Sequence, residues 1–318
     1  MSGPAVMHDI APAAIPHEPE HLFDGQLLVG TDGTESADGA LAMLAALRRQ
    51  KERRIHLLAV FEPAPLPVPS VDPSLAAMTS MAGDEGMRAE FFARVGKQVA
   101  RCWAGLAPVE IEKTEGSPVR LIVDTAKRVQ ADLIITGLRL HGLIDRLVGD
   151  ETALRVNRAT DRPVFAVSAS LLDAPRRAVV GIDFSRASLR AAHAAATMVA
   201  DGGTLTLLHA RPSLDVSAAS EDGIEMPYAR GVTAALEGLC AAVAGAHPAI
   251  TVKVERRDGD PAESVLNFAL ADKADFVAVG RHRRNAISHA VLGSVATTLL
   301  RKAKVSVLVL PPLPEDKH

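Results

Sequence analysis

Residues Phe276 to Ala296, FVAVGRHRRNAISHAVLGSVA, combine residue types suited to holding an anion. An apolar run ends at Gly280, a basic stretch Arg281-His282-Arg283-Arg284 follows, and helical patterning resumes at Gly293-Ser294. Small residues let backbone N–H groups approach an anion closely, and a helix N-terminus adds unpaired donors and a favourable dipole. The chemistry this predicts is phosphate binding. A glycine pair alone is a weak signal, and a charge run is more often a solvated loop, yet the position of this run between Gly280 and Gly293 favours function. Bond-breaking chemistry finds less support. Ser185 and Ser294 lack a nucleophile-elbow context and a His–acid partnership. His282 and His289 have no acid or thiol at a ligand spacing and read as surface imidazoles. The chain has no GxxxxGK[ST] loop.

The elements that must position these residues are written twice. QLLVGTDGTESADGALAMLAALRRQ begins as a short apolar strand, turns at Asp32-Gly33 and continues as an amphipathic helix; RAVVGIDFSRASLRAAHAAATMVA does the same around Asp183. Gly30 and Gly181, and Asp32 and Asp183, are each 151 residues apart (181 − 30, 183 − 32). Gly116 and Gly259, and Gly137 and Gly280, are each 143 apart (259 − 116, 280 − 137), so the first half carries a net eight extra residues, 151 − 143. The Pro-rich stretch Phe61 to Ser74 is the expected place for them, because a surface loop tolerates extra length best. Asp32 and Asp183 alone would read as turn and capping residues; the repeat makes a ligand role equally tenable.

Apolar runs fall near 26–31, 54–60, 109–113, 131–136 and 163–168, and again near 177–182, 203–209, 250–255, 275–280 and 304–310. Alternation with helical patterns predicts two tandem α/β domains of Rossmann-like or flavodoxin-like type. Each has a five-stranded parallel sheet with helices on both faces and a ligand at the topological switch point. Ser117-Pro118 and Asp260-Pro261 predict capped helix starts, with Glu263 completing a capping-box spacing. The expected divisions are a tail over 1–24, a first domain over 25–170, a second over 171–312 and a short tail over 313–318, the boundary falling in SASLLDAPRR near residues 169–176.

Composition narrows the function classes. Hydrophobic residues make up 48% without a run approaching the roughly 18 apolar residues of a membrane span. Residues 1–24 do not read as a signal peptide. Cys102 and Cys240 lack a thiol-pair or zinc spacing, which fits a reducing compartment, with the cytoplasm as the default. Cys240 reads as a small buried residue and Trp103 as packing on its helix. A net charge of −3 with one Trp and one Tyr gives no reason to expect nucleic-acid binding.

The strand ending in Asp (VGTDGT, VGIDFS), the Gly-Asp/Ser-Pro turn and the motif Gly, two residues, Gly, nine residues, Gly, Ser or Thr together resemble the universal stress protein family in its tandem form, over about residues 25–312. One branch of that family holds ATP with this motif and another does not. In the second half Gly280, Gly293 and Ser294 match, and Arg283 replaces the second Gly. The resemblance implies that Asp183 meets the adenosine end, Val279 and Gly280 the ribose or adenine side, and His282, Gly293, Ser294 and Val295 the phosphates. Arg283 either blocks close backbone approach or supplies a charge-assisted phosphate contact. In the first half Leu140 takes the second position and Asp150-Glu151 the last pair; two carboxylates there repel an anionic ligand. The implied protein is a stress-response regulator binding ATP, with or without magnesium, chiefly in domain 2, pairing its halves through their last strands as an internal pseudo-dimer. It acts on a protein partner not identified by sequence, and a homodimer of the whole chain is open. The alternatives are a nucleotide-independent scaffold of the same family and a slow ATP-hydrolysing enzyme.

Overall fold

The computed structural model describes residues 23–50, 52–63, 73–138, 152–211, 225–281 and 292–312. The first repeat runs β1 (Gln26–Thr31), α1 (Asp38–Gln50), β2 (Arg54–Phe61), α2 (Pro73–Cys102), β3 (Ile111–Glu115), α3 (Pro118–Arg128), β4 (Leu133–Leu138), α4 (Thr152–Ala159) and β5 (Val164–Ser168). The second runs β6 (Arg177–Gly181), α5 (Arg186–Ala196), β7 (Thr204–Arg211), α6 (Glu225–Ala246), β8 (Thr251–Asp258), α7 (Pro261–Ala271), β9 (Phe276–Gly280), α8 (Ser294–Lys302) and β10 (Ser306–Leu310).

The two parallel five-stranded sheets expected from sequence are present, but they are joined. Among the described residues all the strands form one ten-stranded sheet in the order β3-β2-β1-β4-β5-β10-β9-β6-β7-β8. The joint is the antiparallel pairing of β5 with β10, with Val307 opposite Ala166, Leu308 opposite Phe165 and Val309 opposite Val164. Every other neighbouring pair is parallel. One antiparallel step turns the second half around, so the C-terminal ends of the two sets of strands lie on opposite rims of the sheet.

Strand side chains alternate between faces, and the core follows that period. Leu27 and Val29, Ala178 and Val180, Phe276 and Ala278, and Leu308 and Leu310 face one apolar layer shared with α1, α2, α5 and α6. The opposite face carries two smaller layers: Leu28, Leu58 and Ile134 under α3, and Val179, Val277, Val307 and Val309 under α7 and α8. The first layer crosses the joint without a break. Phe165 and Phe276 meet there edge to face, with centroids 5.4 Å apart; such a pair adds about 0.5–1.5 kcal/mol beyond its burial. Ser306 Oγ also accepts a bond from the Ser168 N–H at 3.1 Å across the joint.

Local sequence explains the helix ends. Asp260 caps α7 by accepting from the Glu263 N–H at 2.9 Å, with Pro261 at the first helical position. Glu263 does not close the expected capping box with its side chain, which takes Lys302 Nζ at 2.7 Å. Ser117 holds the cap position of α3 with Pro118 after it, but makes no side-chain cap bond. At the other ends, Gln130 and Lys273 take left-handed conformations, φ 52° and 54°, and the Ala131 and Ala274 N–H groups reach back to the Ala126 and Ala269 carbonyls. Trp103 is buried and donates Nε1–H to the Ala107 carbonyl at 2.7 Å. Cys240 is half-buried, its thiol donating to the Val252 carbonyl at 3.5 Å, and burial pushes that thiol's pKa up.

Candidate functional site

In the second repeat β6 and β9 are neighbours, Gly181 opposite Val279, and the chain leaves them toward opposite sides of the sheet. This is the expected switch point, where open α/β sheets hold ligands. Asp183 stands two residues past β6. Its Oδ1 accepts from the Ser185 N–H at 3.0 Å and the Ser185 hydroxyl at 2.5 Å. Ser185 Oγ in turn accepts from the Ser188 N–H at 3.2 Å and caps α5. Asp32 does the same with Thr34, at 2.9 Å to the N–H and 2.6 Å to the hydroxyl. Both aspartates therefore fulfil the turn role that their residue type suggests.

Between Asp183 and Ser185, Phe184 adopts φ 61°, where its counterpart Gly33 adopts φ 74°. A side chain in this region costs about 1–2 kcal/mol. Packing offsets it: the ring lies 5.0 Å from that of His209, tilted by 43°. His209 Nδ1–H donates to the Ile182 carbonyl at 2.8 Å, which fixes its tautomer with Nε2 as the acceptor. Sequence reasoning passed over both residues. The available signal was a His at the end of a strand whose neighbour in the sheet ends in the motif Asp.

Gly280 ends β9. A Cβ there would lie 2.5 Å from the Ala187 carbonyl carbon and from the Ser188 nitrogen. The missing side chain thus lets α5 settle onto β9, helped by Ala191, Ala192, Ala194 and Ala195, all buried in the helix above. Gly137 plays the matching part in the first repeat toward the 3-10 turn Glu35–Ala37 that leads into α1, its Cβ falling 2.4 Å from the Ser36 carbonyl oxygen. Val279 is 3% exposed within the layer under α7 and α8, so it offers a ligand mainly its backbone.

Gly293 is the N-cap of α8, with φ −57°, ψ 154° and no side-chain cap bond. Ser294 is exposed, while Gly293 and Val295 are half-buried, Val295 against the core. The cap carbonyl accepts from the Thr297 N–H at 3.0 Å. His282 and Arg283 lie outside the described residues, as do Asp150 and Glu151. Arg281 is described, and it departs from the expectation of a solvated or anion-facing side chain: it is 4% exposed and donates to the Asn157 and Thr160 carbonyls of the first repeat at 2.5 and 3.0 Å.

The corresponding rim of the first repeat is tied down by α2. Gln98, 3% exposed, accepts from Thr31 Oγ1 at 2.6 Å and donates Nε2–H to the Thr34 carbonyl at 2.7 Å and to Asp38 Oδ1 at 2.6 Å. Arg101 adds a bond to Asp38 Oδ2 at 2.6 Å. No group of three or more His, Cys, Asp or Glu able to hold a metal ion occurs among the described residues. Within the same set, no helix is long and apolar enough to cross a membrane.

Comparison with known proteins agrees with this architecture. Residues 25–168 and 175–311 each match the profile of the Universal stress protein family. The chain is 32% identical over 143 residues to a universal stress protein of Mycobacterium tuberculosis, covering 44% of this chain and 98% of the relative. It is 26% identical over 294 residues to one of Mycolicibacterium smegmatis, covering 90% and 97%. The crystal structure of a universal stress protein from Archaeoglobus fulgidus superposes with a TM-score of 0.62 at 20% identity, covering 93% of this chain and all of that one; at that identity the likeness speaks for the fold. Two matched repeats, joined strand to strand in one sheet, place this chain in the universal stress protein family as a tandem member.

Proposed function

We propose that the chain is a stress-response regulator that binds ATP in its second repeat and signals occupancy to a protein partner. The observation that carries this reading is the start of α8. Its first N–H groups open on the switch-point rim behind a glycine cap, which brings no side-chain acceptor of its own, whereas α5 and α7 are capped by the side chains of Ser185 and Asp260. Donors so presented, with the dipole behind them, favour a phosphate. Gly293, Ser294 and Val295 would hold the phosphates by backbone N–H, with His282 and Arg283 adding charge. Val279 and Gly280 would offer backbone on the sugar side, and the Asp183 turn would close the adenosine end. Magnesium, if carried, would come with the nucleotide. No group in catalytic geometry is invoked, and the role is regulatory rather than enzymatic.

The domain divisions at 24, 170 and 312 and a cytoplasmic setting belong to the same proposal. A homodimer of the whole chain would have to use a surface other than β5 and β10, which already pair with each other. In the first repeat Asp150-Glu151 stand in register with Gly293-Ser294, and this repeat is proposed not to take ATP.

One set of observations favours a nucleotide-independent scaffold instead. The Asp183 turn is satisfied by Ser185, and the need for Gly280 is met by the approach of α5. Calorimetric titration of ATP into protein purified without nucleotide, with assay of co-purified ATP or ADP, separates the two. Gly293→Asp is the informative variant. Aspartate is a good N-cap and suits the extended conformation of Gly293, so the fold is retained while a carboxylate takes the phosphate position. ATP binding should vanish. Absence of binding by the natural chain at millimolar ATP would rule out the nucleotide reading.

A further inference from the structure

Arg281 follows Gly280 directly, so it sits where the chain leaves β9 at the candidate site. Its N–H donates to the Leu310 carbonyl at 2.7 Å, which fixes its backbone to β10. Its side chain crosses to the other repeat. Nη1 donates to the carbonyls of Asn157 and Thr160, at the C-terminal end of α4.

Three physical terms favour that placement. The last carbonyls of a helix lack intrahelical partners. A cation there meets the negative end of the helix dipole. Guanidinium bonds are charge-assisted and roughly twice as strong as neutral ones. Asn157, 2% exposed, is itself held by an Nδ2–H bond to the Ala153 carbonyl at 2.9 Å, so the acceptor end of α4 is firm. The repeat supplies an internal control. The position equivalent to Arg281 is Leu138 (281 − 143), 2% exposed in an apolar cluster drawn from both repeats that includes Leu300 and Ala303. At the equivalent place on the opposite rim a leucine fills the joint, so joining the repeats does not by itself demand a charge at this position.

We propose that Arg281 is a positioning residue through which the first repeat sets the affinity of the second repeat's site for a nucleoside triphosphate. It fixes the end of β9 to α4 as well as to its own sheet. The ligand part rests on the nucleotide reading above; the tether does not. Coupling is reciprocal, so a ligand held beside Arg281 also restrains the last turn of α4.

The test uses the full chain as Arg281→Met and Arg281→Lys, with Leu138→Met as the control. ATP affinity is measured by calorimetry, and amide exchange by mass spectrometry over 152–162, 276–281 and, for reference, 118–128. Arg281→Met should weaken ATP by about tenfold or more, one lost contact on the affinity scale. Arg281→Lys should recover part of the loss, and Leu138→Met should match the natural chain. Saturating ATP should slow exchange over 152–162 but not 118–128, and that protection should disappear in Arg281→Met even when it is saturated. A purely structural arginine would leave the ATP-dependent protection in place. Natural affinity in Arg281→Met, or protection of α4 that survives the substitution, overturns the proposal. If the natural chain takes no ATP, the nucleotide reading fails by itself and the tether is decided without ligand. Arg281→Met must then accelerate exchange over both 276–281 and 152–162 by about fivefold, the low end of ordinary coupling, beyond any effect of Leu138→Met. Acceleration in one repeat only, or in neither, refutes it. Should Arg281→Met fail to fold, Arg281→Lys carries the same comparisons.

Discussion

Replacing Gly280 by alanine asks whether this glycine serves a ligand or the fold. The new Cβ would stand 2.5 Å from two backbone atoms of α5 and 2.8 Å from Ala187 Cβ, against about 3.4 Å for ordinary contact. Backbone atoms cannot rotate aside, so α5 must lift by nearly an ångström from β9 and β10, both of which it packs against. Overpacking of this kind costs about 2–3 kcal/mol. Loss of glycine's freedom in the unfolded chain returns about 0.4–1 kcal/mol, and Gly280 is not among the left-handed glycines, so no dihedral penalty is added. The net loss is about 1–2 kcal/mol, or a melting temperature lower by about 2–8 °C at the usual 2–4 °C per kcal/mol for a unit of this size. Gly181→Ala is the matched control. Its Cβ would meet the Val279 and Val265 side chains at 3.2 and 3.4 Å, with the Ala278 carbonyl oxygen of the backbone at an ordinary 4.0 Å, and its stability should stay within about 1 kcal/mol of the natural chain. Urea and thermal unfolding of the two variants give the answer. If Gly280→Ala is as stable as Gly181→Ala and differs only in ligand binding, the close-approach argument is refuted and the glycine belongs to the ligand.

Three further outcomes are expected. Lys273→Gly and Gln130→Gly, at left-handed helix ends, should each raise stability by about 0.5–1 kcal/mol, the difference between the left-handed penalty and glycine's entropy cost; unchanged urea midpoints would show that the strain is relieved in another way. Gln98→Leu removes one hydrogen-bond partner each from Thr31, Thr34 and Asp38 and should cost about 1–3 kcal/mol, read by the fluorescence of Trp103, the single tryptophan. Burial holds the His247 imidazole below its ordinary value, with the ring of His193 5.9 Å away. The unfolded chain then takes up the proton first as pH falls, so this contribution is present above about pH 6.5 and is lost as pH drops through the folded value. His247→Gln should flatten the stability profile between about pH 7 and pH 5, and an identical profile would remove His247 as its source.

The strands were legible because their signal is local. Every apolar run read from sequence falls on a strand, with edges differing by at most three residues, and the switch point follows from the order of elements. The turn at Asp183 and the helix start at Gly293 were legible because chain-end chemistry is also local: Asx turns and helix starts depend on residues a few positions apart. What sequence missed depends on distance across the fold. Nothing near Arg281 indicates that α4, more than a hundred residues earlier, supplies its acceptors. The packing of α5 against Gly280 was not legible, because close approach by a phosphate and close approach by a helix both call for the same missing side chain. Phe184 was passed over because its left-handed turn is stabilised by His209, a residue of the neighbouring strand.

The antiparallel pairing of β5 with β10 also settles a matter of stoichiometry. Domains that pair as separate chains obey a dissociation constant: dilution parts them, and related chains in the same cell can exchange into mixed assemblies. Here the pairing is intramolecular, with an effective concentration set by the short link Ala169–Arg176 and independent of how much protein is made. A repeat whose last helix starts with Gly-Ser is therefore always matched with one carrying Asp-Glu in that register, one to one, and the composition of the pair is inherited with the gene instead of being set by expression level.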